Sequence, residues 1–99
     1  MTIKETNHPA PAERAAAAET VALSALAWIL ADEERARRLL DLTGLTPEQL
    51  RGGLRDPAVL AAGLRFLESH EPDLVACAQA VAVSPADLVD ARAILERQI

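Results

Sequence analysis

Few residues in this chain have the types and spacing that chemistry requires. His70-Glu71-Pro72-Asp73 places an imidazole beside two carboxylates. Acid–base or metal chemistry uses such groups, but a metal site needs three or four convergent ligands at characteristic spacing. The other histidine, His8, lies in the polar N-terminal segment. Acids and a proline are also what a helix start asks for, so capping accounts for the cluster. The single cysteine, Cys77, falls on an apolar helical stripe. A nucleophilic thiol needs exposure and a basic neighbour, so a buried, inert thiol is expected. No Ser, His and Asp set forms a triad pattern, and no glycine-rich loop could cradle phosphate. The expectation is a protein that is not an enzyme, with no catalytic, metal or cofactor-binding residues and no cofactor.

Two further constellations bear on binding. Asp32-Glu33-Glu34-Arg35-Ala36-Arg37-Arg38 is the densest charge run. Glu33 with Arg37 and Glu34 with Arg38 are helical i,i+4 pairs in the favoured order, so a solvated helix face is expected. Leu39 to Leu54 has the outline of a helix-turn-helix, with Gly44 in the turn and Leu50 as a core position. Its second helix offers only Arg51 as a base before Gly52-Gly53, and it carries Glu48. Phosphate anchoring normally takes several Lys or Arg. DNA binding through the 39–54 segment is therefore the alternative functional reading, behind a non-enzymatic protein-interaction or regulatory module.

The elements that must position these residues are helical. Ninety-nine residues make one domain, enough for one modest core. Half the side chains are apolar, but they are mostly Ala and Leu; Trp28 and Phe66 are the only aromatics. This composition favours helix over strand. Residues 1–54 hold six basic and eight acidic side chains (−2), and 55–99 hold four and seven (−3). Neither half has a basic face, which speaks against nucleic acid and anionic membrane surfaces. Val21 to Ala31, the longest apolar stretch, is too short to span a bilayer. The N-terminus lacks the pattern of a signal peptide, and the expected compartment is the cytoplasm. The expected partner is a protein, self-association included.

Residues 1–11 are polar and proline-punctuated and are expected to form a flexible tail, with one helical domain over 12–99. The first helix is apolar nearly all round and is expected to be buried and central, with Trp28 and Phe66 as the largest core residues. Asp32 caps a second helix with Ala36, Leu39, Leu40 and Thr43 inward, and Gly44 suits its left-handed end. Thr46-Pro47-Glu48-Gln49 is a capping box opening a short third helix. Asp56-Pro57 opens a fourth with Leu60, Leu64 and Leu67 on one face. Pro72 opens a fifth with Leu74, Cys77, Ala78 and Val81 inward. Ser84-Pro85 opens a sixth carried by Leu88, Ala91 and Leu95.

A shift of 38 residues aligns the chain with itself without a gap: Trp28 meets Phe66, Glu33 meets Glu71, Thr46-Pro47 meets Ser84-Pro85, and Leu50 meets Leu88. The fold expected is an all-α bundle of about six short helices in two degenerate three-helix units, 18–54 and 56–97. Duplication and the same capping rules acting twice both give this pattern. Ala25 and Gly63 align and are small, so the first and fourth helices are expected to approach closely there.

Leu42-Thr43-Gly44-Leu45-Thr46-Pro47-Glu48-Gln49-Leu50-Arg51 resembles the signature of a family of small alphaproteobacterial proteins. So does Asp56-Pro57 followed by Leu60, Leu64, Phe66 and Leu67, then Glu71 and Pro85. The family is a domain of unknown function with serial number 3572. The resemblance covers roughly 18–97 and implies an all-α bacterial protein with no assigned activity and no catalytic residues to carry over.

Thr46 and Ser84 are matched caps, so Thr46→Ala and Ser84→Ala are each expected to cost about 1 kcal/mol. Urea denaturation of the two variants measures this. A loss in only one of them means that the two halves are not energetically alike.

Overall fold

A computed structural model describes residues 10–99, and His8 and most of the expected tail lie outside them. Six helices follow in order: α1 (Pro11–Leu30), α2 (Glu33–Thr43), α3 (Pro47–Gly52), α4 (Pro57–Glu68), α5 (Glu71–Ala80) and α6 (Pro85–Glu96). No strand occurs among the described residues. The chain is all-α, with one continuous apolar core.

Local chemistry sets the boundaries. The Asp32 carboxylate accepts from the backbone N–H groups of Glu34 and Arg35 and opens α2. Asp56 accepts from Ala58 and opens α4. Thr46 with Gln49, and Ser84 with Asp87, each close a reciprocal capping box. Pro stands in the first turn of α1, α3, α4, α5 and α6, where its missing N–H costs nothing. At the other ends, Gly44 adopts φ 74° after α2, and Ala82 adopts φ 62° after α5. Past α5 the chain closes a Schellman motif, in which Val83 N–H donates to Ala78 C=O at 2.9 Å and Ala82 N–H to Gln79 C=O at 3.3 Å.

The 38-residue offset recurs in these boundaries. α1 ends at Leu30 and α4 at Glu68; α2 starts at Glu33 and α5 at Glu71; α3 starts at Pro47 and α6 at Pro85. The left-handed residues Gly44 and Ala82 obey it too. The lengths do not match, since α1 has 20 residues against 12 in α4, and α3 has 6 against 12 in α6.

Helix α4 is the central element. Val59, Leu60, Ala61, Gly63, Leu64, Phe66 and Leu67 are all buried on it, and α1, α2, α5 and α6 pack against it. This corrects the burial expected for α1: it packs against α2, α4, α5 and α6, but its buried face is one-sided. Ala18, Ala22, Ala25, Leu26 and Ile29 are buried, while Ala16, Thr20, Ala27 and Leu30 face outward. Ala counts as apolar in a pattern but loses little when exposed, so an Ala-rich helix imitates a buried one. Phe66 is buried as expected. Trp28 is only partly buried and packs at the core's edge. α1 and α4 do pack together, and a Cβ on Gly63 would meet Leu26 Cδ1 of α1 at 3.4 Å. That is ordinary contact, so close packing does not itself require glycine at 63.

It does at Gly53. A Cβ there would lie 2.5 Å from Val59 Cγ2 and 3.1 Å from Val59 Cβ, so rotating the valine would not clear it. Gly52 faces open space. Gly53→Ala is therefore expected to destabilise by about 1–3 kcal/mol, whereas Gly52→Ala is neutral or mildly stabilising. Ala82→Gly should stabilise by about 0.5–1 kcal/mol by relieving the left-handed backbone. Thermal denaturation of the three variants checks the order Ala82→Gly above wild type above Gly53→Ala.

Candidate functional site

The charged residues singled out in the sequence do not converge on one centre. His70 occupies the N-cap of α5 but makes no side-chain bond to the backbone. Its Nδ1 lies 3.0 Å from Asp73 Oδ2, and Arg38 reaches the same oxygen from α2 at 3.1 Å. The cluster therefore ties α2 to the start of α5. Among the described residues no three or more His, Cys, Asp or Glu lie where they could hold a metal ion.

The charge run on α2 is organised by tertiary contacts and not by the expected i,i+4 pairs. Arg38 pairs with Asp73 in place of Glu34, and its guanidinium lies 5.5 Å from the centre of the Phe66 ring. Arg35 stacks on Trp28 at 3.6 Å, donates to Trp28 C=O at 2.7 Å and reaches Asp32 at 3.5 Å. The cost of its buried, unpartnered Nε is offset by stacking on the ring. The Asp32 carboxyl sits below its ordinary range, chiefly because Arg35 N–H donates to it. Two residues of one helix thus cover both aromatic rings, which makes this face structural.

A second cluster joins α4 to α6. Arg92 forms a two-pronged pair with Glu68 at 2.8 and 3.1 Å and reaches Glu96 at 3.0 Å; Arg65 also pairs with Glu96. Glu68, then Glu96, raise the Arg92 guanidinium above its ordinary value, and Arg65, then Arg92, hold Glu96 below its own. These side chains are satisfied by one another and lock the helices.

In the helix-turn-helix outline, α3 has only six residues, and Arg51 lies 3.7 Å from Glu48 on the same helix. The would-be recognition helix is thus little more than one turn and a half.

The surface feature that sequence reasoning did not find is an open groove of about 280 Å3 between the first turns of α1 and helix α6. Its floor is Ala17, Ala18, Val21, Val83, Ala91 and Ile94, and Glu13, Arg14, Asp87 and Asp90 stand at its edges. The signal available in the sequence was small: Ala at 17, 18 and 91 leaves space that larger residues would fill. Leu42, 68% exposed, lines a second cleft together with Phe66, Ala62, Thr43, Ser69 and Arg65.

A model of the family described as "Protein of unknown function (DUF3572)" matches residues 15–98, and the chain belongs to that family. No curated protein and no solved structure matches it.

Cys77 has no exposed surface, and burial pushes its thiol up from about 9 to about 11. The fold favours the neutral thiol, so this contribution to stability is complete below pH 9 and is lost as pH rises toward 11. The chain has no Tyr and only Lys4 among lysines to titrate in that window. Denaturation midpoints are expected to fall from pH 9 to 11 in wild type and to stay nearly level in Cys77→Ala. A thiol reagent should label the native protein no faster than it unfolds.

Proposed function

We propose that this protein is a non-enzymatic interaction module of the cytoplasm, an adaptor or regulatory subunit that binds another protein through the α1–α6 groove. The groove carries the reading. Apolar floors rimmed by polar residues occur where proteins, membranes or ligands bind. Its volume of about 280 Å3 falls just below the roughly 300–1,000 Å3 usual for small-molecule pockets. It suits two or three aliphatic side chains. The satisfied ion pairs elsewhere and the inert thiol support a scaffold role. The matching helix punctuation at a 38-residue offset supports duplication of a three-helix unit as its origin.

Ala17 is exposed at the groove, so Ala17→Arg blocks it while keeping helix propensity. Tagged wild type and Ala17→Arg are expected to show equal thermal stability. A partner should be recovered from native cells by wild type and be depleted at least about tenfold with the variant, a difference of about 1.4 kcal/mol in binding. Equal recovery, or nothing above background with either, overturns the reading.

A further inference from the structure

We infer that the segment seated in the α1–α6 groove is a cationic amphipathic helix, an inference that rests on the interaction reading above. The first reason is shape. On α1 the lining residues Glu13, Ala17 and Val21 recur every four positions, and on α6 Asp87, Asp90 and Ile94 recur every three or four. Each wall is thus one helical stripe about two turns long, or roughly 12 Å. A third helix laid along such a trough presents its own i and i+4 side chains to the floor.

The second reason is charge complementarity. Three carboxylates stand at the edges against one guanidinium, in a chain of net charge −5. Glu13 accepts from Ala10 N–H at 2.9 Å, and Asp87 accepts from Ser84 N–H at 2.9 Å. Both carboxylates keep lone pairs for another donor. Asp90 is exposed and accepts no hydrogen bond or ion pair from any described residue. A lysine or arginine flanking the occupant's apolar stripe would find these carboxylates in place, whereas an acidic helix would be repelled by all three.

The test uses the full-length protein and two synthetic helices of about 16 residues with one leucine pattern, flanked by Lys in one and by Glu in the other. Each is titrated into isotope-labelled protein at physiological ionic strength, and amide shifts are followed. The Lys helix is expected to shift amides of Ala17, Val21, Asp90 and Ile94. Its affinity should fall about tenfold in Asp90→Lys and stay within about twofold in Asp41→Lys, a reversal on the exposed side of α2. Equal binding of the Glu helix overturns the inference. So do shifts centred on Leu42, equal losses in both charge reversals, or displacement by a second copy of the chain as protein concentration rises. If the Lys helix fails while Ala17→Arg still removes a cellular partner, the cationic occupant is wrong and the interaction reading stands. If Ala17→Arg removes nothing, the interaction reading falls first.

Discussion

Seven of the twelve residues of α4 are buried, and α1, α2, α5 and α6 all pack on that one short rod, with α1 and α6 also packed on each other. This is possible because many of the buried side chains on its neighbours are small. Ala18, Ala22 and Ala25 on α1 and Ala91 on α6 let helices approach closely, and Leu26, Ile29, Leu60, Leu64, Leu67 and Leu88 fill the space between them. With a single buried aromatic, this core has no large plate to absorb a misfit. Removing one of those leucines would leave a cavity that neighbouring methyl groups could not reach, at about 2–5 kcal/mol.

Polar contacts then fix how the outer helices sit on the rod. Arg35 and Arg38, one turn apart on α2, cover Trp28 of α1 and Phe66 of α4, so a single helix straps the two aromatics. Arg92 and Arg65 join α4 to α6 through Glu68 and Glu96. Pairs of this kind near the surface contribute little individually. Their value is in register, because a two-pronged guanidinium–carboxylate pair tolerates little sliding. Both sets rely on carboxylates whose ionisation the fold favours, Asp32 and Glu96. Their contribution is present above the carboxylate range and is lost as pH falls through it.

What the sequence made legible is what local chemistry decides. The caps at Asp32, Thr46, Asp56 and Ser84, the left-handed Gly44 and the buried stripes of α5 and α6 each depend on a few neighbouring residues. The burial of Cys77 belongs with them. The misreadings share a different cause. α1 looked buried because Ala is apolar without being large. Trp28 looked central because its stripe ignores what α2 brings over it. Arg38 was assigned to Glu34 because a helix alone offers no Asp73. The groove left only a faint trace in Ala17, Ala18 and Ala91, since it is a space between two helices far apart in the chain.

That space arises where the two halves of the chain, compared at the 38-residue offset, differ. α1 runs two turns further toward its N-terminus than its counterpart α4, and these turns supply Glu13, Ala17 and Ala18. α6 continues past the length of its counterpart α3 and supplies Ala91 and Ile94. The offset that takes Gly53 to Ala91 shows why. After α3 the chain must turn back at once to begin α4, and it presses Gly53 against Val59 where no side chain fits. In the second unit the helix goes on, so the same position becomes a buried alanine on the groove's far wall. The parts that match at this offset build most of the core, and the parts that do not match add Ala18, Ala91 and Leu95 to it and shape the groove beside them.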